Sequence, residues 1–368
     1  MKIMTILGTR PEIIRLSRII PLLDDLCDHI LVHTGQNFER TLSDIFFTEL
    51  KLRSPDYLLN CRASTLMGQI GEILRGCEQV MLKEQPDRLL ILGDTNSALA
   101  AMVAKRLRIP VYHMEAGNRC YDDRVPEEIN RRVIDHCSDI LLPYTERSRA
   151  NLLSEGINGE RIYVTGNPIW EVLKHYADRI EQSQILQALR VASKGYFLVT
   201  LHRAENVDDE ERLTKFINAL DRLAAEYGRP LICCLHPRTR SRLEKQSRTF
   251  AGTGIQVVEP LGLFDFVFLE QNAFCVLSDS GTVQEECCLY KIPNVTLRDV
   301  TERPETLEAG SNLLAGCELE VISQAVRTVL SQGSDWEPPP EYLAPKVSRK
   351  VSKIILGGGT TVKPYNKK

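Results

Sequence analysis

Short apolar runs alternate with amphipathic stretches along nearly the whole chain, and this alternation limits the possible folds more than any other feature. Runs that are almost uniformly apolar are typical of strands buried on both faces, and parallel sheets covered by helices contain such strands. We therefore predict an α/β fold. Its first strands are expected at residues 2–7, 29–33, 88–92, 111–114 and 140–143, and its first helices at 12–27, 66–85, 97–106 and 128–137.

The same rhythm restarts after a polar, helix-rich stretch near residues 168–195. A chain of 368 residues exceeds the usual size of one hydrophobic core, so two domains are expected. Further strands are predicted at 196–201, 230–235, 255–258, 275–278 and 292–296. We predict two Rossmann-like domains, at 1–169 and 170–340, with a cleft where their strand carboxyl ends meet. A last helix is expected near 344–356, within a C-terminal segment at 341–368.

Charge and cysteine content exclude several classes of protein. The net charge is −3, with 46 basic and 49 acidic residues, so no basic field exists to hold nucleic acid or an anionic membrane. The 11 cysteines are scattered without a CxxC spacing, which favours reduced thiols over a disulfide framework or zinc site. No apolar run is long enough for a signal peptide or a membrane span. We expect a soluble cytoplasmic protein.

The first candidate motif is Gly8-Thr9-Arg10-Pro11-Glu12, directly after the first predicted strand. Open amides and the helix dipole at such a turn favour an anion, and Arg10 is available to assist. An ordinary strand-to-helix turn is the alternative. The motif lacks the G-x-G-x-x-G spacing, so it does not imply a dinucleotide.

A second strand-to-helix turn contains Ser278, Asp279, Ser280, Gly281 and Thr282. Two hydroxyl groups near open helix amides predict an anion site in the second domain. A glutamate one and a half turns later, at position 286, would reach sugar hydroxyls beside a bound phosphate. The alternative is a helix capped by Ser280 alone.

Acidic side chains follow two predicted strands and begin one predicted helix. Asp94 and Glu115 each follow a strand, and Glu127 and Glu128 follow Pro126. Carboxylates at strand carboxyl ends face the ligand site of open α/β sheets, where burial and mutual repulsion raise their pKa values. They are candidates for proton abstraction and return. Alternatively, Asp94 caps a helix and Glu127 occupies a helix start, whereas Ala116-Gly117 gives Glu115 no helix to cap.

Two histidines also follow predicted strands, each with an arginine nearby. His202 precedes Arg203, and His236 lies two residues before Arg238. Together they would form a pyrophosphate clamp, although a hydrogen-bonded rim position is an equally simple reading. Arg15, one turn beyond Arg10, would face the same mouth. Metal binding is not expected, because no HxH or HExxH spacing occurs.

Nine blocks of residues resemble the non-hydrolysing UDP-N-acetylglucosamine 2-epimerases. They are ordered along about residues 1–320 and occur in both predicted domains. The blocks are GTRPEIIRLS at 8–17, TGQ at 34–36, GDT at 93–95, HMEAGNR at 113–119, PEEINRR at 126–132, VTGNP at 164–168, HRAEN at 202–206, DSGTVQEE at 279–286 and TERPE at 301–305.

The resemblance implies two Rossmann-like domains of the glycosyltransferase-B type, a homodimer, and a C-terminal helix that returns to the first domain. It also implies a reaction that needs no NAD, metal or other cofactor. A base removes the C2 proton of the UDP-sugar while UDP leaves C1 by anti elimination. UDP then adds back to the 2-acetamidoglucal intermediate after protonation from the opposite face.

Roles follow from the resemblance for residues at matching positions. The implied acid/base candidates are Asp94, Glu115 and Glu127, and His202 is a further catalytic or diphosphate-stabilising group. The implied substrate-binding residues are Arg10, Ser280, Gly281 and Thr282 at the phosphates, Glu286 at the ribose, Phe266 near the uracil, and Arg15, Arg131, Arg203 and Arg303 at the cleft.

The chain departs from the family pattern at several positions. Arg15 stands where a lysine is usual, Asn37 replaces a histidine, and Thr282 replaces the second glycine of DSGG. The string HMEAGNRCYDDRVPEE resembles sibling epimerases that make UDP-N-acetyl-L-fucosamine from a 6-deoxy-talose precursor, whereas the second half resembles the N-acetylglucosamine enzymes. Both sugars therefore stay open, and a glycosyltransferase of the same architecture is a more remote alternative.

Overall fold

The computed structural model describes residues 1–36, 40–235, 237–245 and 254–357. The chain divides into two compact units. Unit 1 comprises Met1–Lys174 together with the chain from Pro340, and unit 2 comprises His175–Pro339. The predicted domain limits at 169/170 and 340/341 lie within five residues of these boundaries.

Unit 1 contains a parallel sheet of six strands in the order β3-β2-β1-β4-β5-β6. This is the doubly wound order of Rossmann folds. Five of the strands were predicted, whereas β3 has only two residues and is too short to leave a pattern in the sequence. The strands are β1 (Lys2–Leu7), β2 (Asp28–His33), β3 (Tyr57–Leu58), β4 (Arg88–Leu92), β5 (Val111–Met114) and β6 (Ile140–Leu142).

The helices of unit 1 differ from the prediction mainly at their ends. The helix predicted at 12–27 is two helices, because Pro21 lacks the amide hydrogen that a continuous helix needs and is tolerated only in a first turn, where it lies in α2. The helices are α1 (Arg10–Leu16), α2 (Ile20–Leu26), α3 (Arg40–Glu49), α4 (Leu66–Glu84), α5 (Ala100–Arg106), α6 (Pro126–Cys137), α7 (Glu146–Ser154) and α8 (Ile169–His175), with short 3-10 turns at Asn96–Leu99, Gly159–Arg161 and Pro340–Leu343.

Unit 2 repeats this topology. Its six parallel strands follow the order β9-β8-β7-β10-β11-β12, which is the same arrangement with the first strand of the unit in third place. The strands are β7 (Phe197–Leu201), β8 (Leu231–Leu235), β9 (Ile255–Val258), β10 (Cys275–Ser278), β11 (Asn294–Thr296) and β12 (Asn312–Leu314). The helices are α9 (Ala177–Glu181), α10 (Ile185–Leu189), α11 (Ala204–Val207), α12 (Glu210–Tyr227), α13 (Pro237–Lys245), α14 (Leu263–Asn272), α15 (Gly281–Tyr290), α16 (Pro304–Glu308) and α17 (Leu319–Gln332).

Strand β8 shows why the apolar runs are continuous. Leu231, Cys233 and Leu235 belong to the hydrophobic cluster on one face of the sheet, and Ile232 and Cys234 belong to the cluster on the other. Complete burial of each leucine or isoleucine side chain stabilises the fold by about 1.5–3 kcal/mol. All 11 cysteines are free thiols.

A C-terminal helix, α18 (Val347–Leu356), packs on unit 1. Val347, Val351 and Ile355 are buried at helical spacing. The Lys350 Nζ donates to the Thr165 carbonyl at 2.8 Å, and Arg88 donates to the carbonyl of Ile355. The predicted return of the C-terminal helix to the first domain is therefore confirmed. None of the helices in the described ranges has the length and hydropathy needed to span a bilayer.

Candidate functional site

The sequence motifs lie where the strand order of each sheet reverses. In unit 1 the reversal lies between β1 and β4, which lead into Gly8 and Asp94. In unit 2 it lies between β7 and β10, which lead into His202 and Asp279. Ligands of open α/β sheets bind outside the carboxyl ends of strands at such switch points. Each unit thus has one candidate ligand edge.

The turn after β1 is built around Glu12. The Glu12 Oε2 accepts hydrogen bonds from the amides of Gly8 at 3.0 Å and Thr9 at 2.7 Å, and from the Thr9 hydroxyl at 2.8 Å. The predicted open amides are therefore occupied, because Thr9 and Glu12 form a capping box. A Cβ at Gly8 would overlap the Ser97 hydroxyl, so close packing also requires the glycine. Arg10 is half-buried, with its guanidinium 5.9 Å from the ring centre of Phe46.

Glu12 was not predicted as a site residue, but it links two of the motifs. The Thr95 hydroxyl, next to Asp94, donates to Glu12 Oε1 at 3.1 Å. Burial raises the pKa of Glu12 to about 7, although its hydrogen-bond donors oppose the rise. A carboxyl group that titrates near neutral pH therefore lies between the Arg10 turn and the Asp94 loop.

Glu115 and Arg15 form a buried ion pair at the end of β5. Arg15 is 2% exposed and donates to the Glu115 carboxylate. The Arg15 guanidinium lies 5.5 Å from the ring centre of Tyr144, and the Asn118 amide donates to Glu115 at 3.3 Å. Glu115 has a φ of 65°, which is a left-handed conformation that costs a residue other than glycine about 1–3 kcal/mol. The fold thus maintains backbone strain at an acid/base candidate.

Asp94 is held by residues of α6. The Arg131 Nε donates to its carboxylate at 2.8 Å, and the Asn130 amide donates to its carbonyl at 2.9 Å. Arg131 also donates to Glu128 at 2.6 Å. Burial opposes ionisation of Glu128, but donors that include Arg131 outweigh it and hold the pKa of Glu128 below its ordinary value. Glu127 is half-buried in the first turn of the same helix.

Asp279 organises the corresponding edge of unit 2, although no role was predicted for it. Its carboxylate accepts hydrogen bonds from the backbone amides of His202 at 3.0 Å and Arg203 at 2.9 Å, and from the side-chain amide of Asn206 at 3.2 Å. The same carboxylate lies 2.9 Å from the His202 Nδ1. Burial opposes ionisation, but the charge and hydrogen bonds of His202 outweigh it and hold the pKa of Asp279 far below its ordinary value. His202 is therefore fixed by a buried carboxylate.

Helix α15 begins at this edge. Ser280 is its N-cap, but the serine side chain makes no capping hydrogen bond, so the alternative of a simple serine cap is wrong. A Cβ at Gly281 would lie 2.6 Å from the Glu302 carboxylate, so a larger residue would displace that group. Thr282 is half-buried. Glu286 is buried against Glu270, and burial together with the nearby charge of Glu286 raises the pKa of Glu270 well above its ordinary value.

Buried carboxylates hold three arginines of unit 2. Glu302 accepts from Arg203 at 3.0 Å and from Arg298 at 2.7 Å, and Arg303 donates to Glu285. Site roles were predicted from the sequence for Arg203 and Arg303, but for neither glutamate.

Two further predicted positions lie apart from these contacts. Phe266 packs against the hydrophobic cluster on one face of the second sheet. His236 lies outside the described residues. In the ranges that the structure describes, no group of His, Cys, Asp and Glu side chains is arranged to hold a metal ion.

Comparison with known proteins agrees with this geometry. A family model described as UDP-N-acetylglucosamine 2-epimerase matches residues 24–356. The UDP-N-acetylglucosamine 2-epimerase of Methanocaldococcus jannaschii is 43% identical over 366 residues, covering 97% of this chain and 100% of that protein. The UDP-2,3-diacetamido-2,3-dideoxy-D-glucuronate 2-epimerase of Pseudomonas aeruginosa is 38% identical over 335 residues, covering 90% and 93%.

Solved structures give the same result. The crystal structure of the M. jannaschii UDP-GlcNAc 2-epimerase in complex with UDP-GlcNAc and UDP has a TM-score of 0.93 and 41% identity, covering 97% of this chain and 100% of that chain. A glycosyltransferase involved in lipopolysaccharide biosynthesis, at 14% identity and a TM-score of 0.60, shares the fold alone. These likenesses confirm the resemblance seen in the sequence. The chain belongs to the UDP-N-acetylglucosamine 2-epimerase family.

Proposed function

We propose that the protein is a non-hydrolysing 2-epimerase that interconverts UDP-GlcNAc and UDP-ManNAc. The observation that carries this proposal is the near full-length likeness to an epimerase whose structure contains UDP-GlcNAc and UDP. The relatives at 43% and 40% identity are named for UDP-GlcNAc, which favours this sugar over the 6-deoxy-talose alternative. The family resemblance further supports a cytoplasmic homodimer.

Unit 1 is proposed to supply the proton transfers. A base must remove the C2 proton while an acid returns one from the opposite face, so two carboxyl groups with different surroundings are required. Glu115 is buried and paired with Arg15, whereas Asp94 is partly exposed and paired with Arg131. Glu127, in the first turn of α6, is the third candidate.

Unit 2 is proposed to bind the nucleotide and stabilise the departing diphosphate. Negative charge develops on UDP as the C1–O bond breaks, so fixed positive groups there lower the barrier most. His202, Arg203 and Arg303 are fixed by buried carboxylates, and α15 presents its first amides beside the Ser280 hydroxyl, which does not cap them. Ser280, Gly281, Thr282 and Arg10 are assigned to the phosphates, Glu286 to the ribose and Phe266 to the uracil.

Deuterium exchange tests the proposal. The protein is incubated with UDP-GlcNAc in D₂O without an acceptor, and the mixture is followed by NMR beside a parallel reaction with the 6-deoxy-talo substrate. A reversible mixture of UDP-GlcNAc and UDP-ManNAc with deuterium at C2 is expected. Release of free ManNAc would identify a hydrolysing epimerase, and the absence of exchange would refute epimerisation in favour of a glycosyltransferase or a nucleotide-sugar sensor.

Substitutions test the acid/base assignment. Asp94→Asn and Glu115→Gln should each remove most of the turnover and leave the affinity for UDP nearly unchanged, because they alter groups assigned to the sugar. Asp123→Asn is the matched control, since Asp123 is an exposed carboxylate of the same unit, 70% exposed, in a surface ion pair. Near-normal rates for both test variants would refute the assignment.

A further inference from the structure

A buried histidine of unit 1 contacts two elements that carry acid/base candidates. His113 lies in β5, two residues before Glu115, and is 1% exposed. Its Nε2 lies 2.8 Å from the carbonyl oxygen of Gly93, the residue before Asp94. Its Nδ1 lies 2.8 Å from the carboxylate of Asp135, in α6.

The partners of His113 determine its protonation. The Gly93 carbonyl can only accept a hydrogen bond, so Nε2 must donate. Burial acts to raise the pKa of Asp135, but the permanently charged guanidinium of Arg119 and the amide of Gly117 both contact its carboxylate and favour the ionised form, and its pKa lies below the ordinary value. Asp135 is therefore an ionised acceptor, and Nδ1 must donate as well. A ring that donates from both nitrogens is an imidazolium cation.

The surrounding charges agree with a cation. The other oxygen of Asp135 accepts from Arg119 at 2.8 Å and from the amide of Gly117 at 3.1 Å. Arg119 also donates to Glu155, at the end of α7, at 2.6 and 2.7 Å. Asp135 is fully buried, and Arg119 divides its charge between Asp135 and the partly exposed Glu155. A neutral histidine would therefore leave the charge of Asp135 only partly compensated.

We propose that His113 is a positively charged positioning residue for the acid/base carboxylates. Through Gly93 it fixes the loop of Asp94, and through Asp135 it joins that loop to the Glu115–Gly117 turn and to α6. Proton transfer is sensitive to displacements well below 1 Å, so a side chain that contacts all of these elements at once contributes to their correct relative positions, together with the bonds of Arg131 and Asn130 to Asp94. The inference rests on the proposed roles of Asp94 and Glu115.

His113→Gln provides the kinetic test, because glutamine keeps a donor and removes the charge. The value of kcat for epimerisation should fall about 10- to 100-fold, as for the loss of groups that orient catalytic ligands, while KM and the Kd for UDP change less than about twofold. His29→Gln is the matched control. His29 is also buried in the first sheet and bonded to a carboxylate, Asp24, at 2.6 Å, but it lies near the amino end of β2. Its substitution should leave kcat unchanged for the folded protein.

Nitrogen-15 NMR of the histidine-labelled wild-type protein gives a readout that does not depend on catalysis and that needs only one of two variants to fold. We expect protons on both ring nitrogens of His113 at pH 8. Their signals are assigned by their loss in His113→Gln or in Asp135→Asn. A neutral His113 ring would overturn the inference, as would equal kinetic effects of His113→Gln and His29→Gln. Wild-type protein that shows no C2 exchange would refute the proposed function instead, and the NMR result would still decide the charge of His113.

Discussion

Glu12→Gln tests whether a titrating carboxyl group stabilises the turn after β1. A glutamine oxygen can keep the three hydrogen bonds from Gly8 and Thr9, and its amide group can donate to the Thr95 hydroxyl in place of accepting from it. The variant therefore preserves the shape and contacts of the site. It removes only the ability to lose a proton.

The magnitude follows from the two pKa values. Burial raises the pKa of Glu12 from 4.5 to about 7, so the folded protein holds a proton that the unfolded chain releases. The free energy of unfolding must then fall as pH rises from about 4.5 to about 7 and become constant above it. Between pH 5 and 8 this group alone lowers the free energy of unfolding by about 2.5 kcal/mol. Glu12→Gln should remove that slope and be the more stable protein at pH 8.

Urea unfolding at several pH values measures the slope, and the chain offers a reporter for each unit. Its two tryptophans lie in different units, Trp170 in unit 1 and Trp336 in unit 2. In a Trp336→Phe background, tryptophan fluorescence therefore follows unit 1 alone. Glu72→Gln, at a partly exposed acid of α4, is the control. If the Glu12→Gln variant and its parent show the same pH slope, the carboxyl group is ionised throughout and the reasoning from burial is wrong.

Substitutions at three further positions test charges at the two edges. Asp279→Asn should destabilise unit 2 at pH 7 and flatten the decrease of its stability in acid. A carboxyl group whose pKa is lowered by folding stabilises the folded protein at pH values above its pKa in the unfolded chain, and this stabilisation is lost as the pH falls through its pKa in the folded protein. Urea unfolding followed by Trp336 fluorescence measures the free energy of unfolding. Glu270→Gln should stabilise the protein more at pH 8 than at pH 6, by up to about 1.4 kcal/mol per pH unit, since the glutamine amide donates to Glu286 without having to bind a proton. If the variant and its parent differ in the free energy of unfolding by the same amount at both pH values, Glu270 is not protonated. Arg15→Lys should keep most of the epimerase kcat. Arg15→Met leaves the Glu115 carboxylate buried without its cation, so it should destabilise unit 1 by about 3–5 kcal/mol, as measured by urea unfolding with Trp170 as the reporter.

The sequence predicted the α/β fold because burial on both faces is a local property of each strand. It missed β3 and β12, which have two and three residues and leave no periodic signal. It also read one helix across Pro21, although proline at that position marks a helix boundary. Glu12 could have been recognised from the sequence, because Thr9 and Glu12 have the spacing of a capping box.

Other site residues left no such signal. The contacts of His113 with Gly93 and Asp135 join residues 20 and 22 positions apart in the chain. The parallel pairing of β4 with β5 brings His113 to Gly93, and the packing of α6 on β5 brings it to Asp135. The pairing of Glu302 with Arg203 spans 99 positions. Sequence patterns report periodicity and turns, whereas these pairs depend on which loops meet at a sheet edge.

The buried carboxylates of unit 2 have the same sign as a diphosphate, yet they support its proposed binding. Without Glu302 and Glu285, the arginines at 203 and 303 would be flexible side chains that lose conformational entropy when an anion binds. Ion pairing within the folded protein fixes them in advance, so their donors need little rearrangement as charge develops on UDP. The same ion pairs limit the excess of positive charge at the proposed diphosphate site. A site without that excess can release the UDP-sugar product after each turnover. Preorganisation, rather than total charge, is therefore the property that these buried ion pairs contribute.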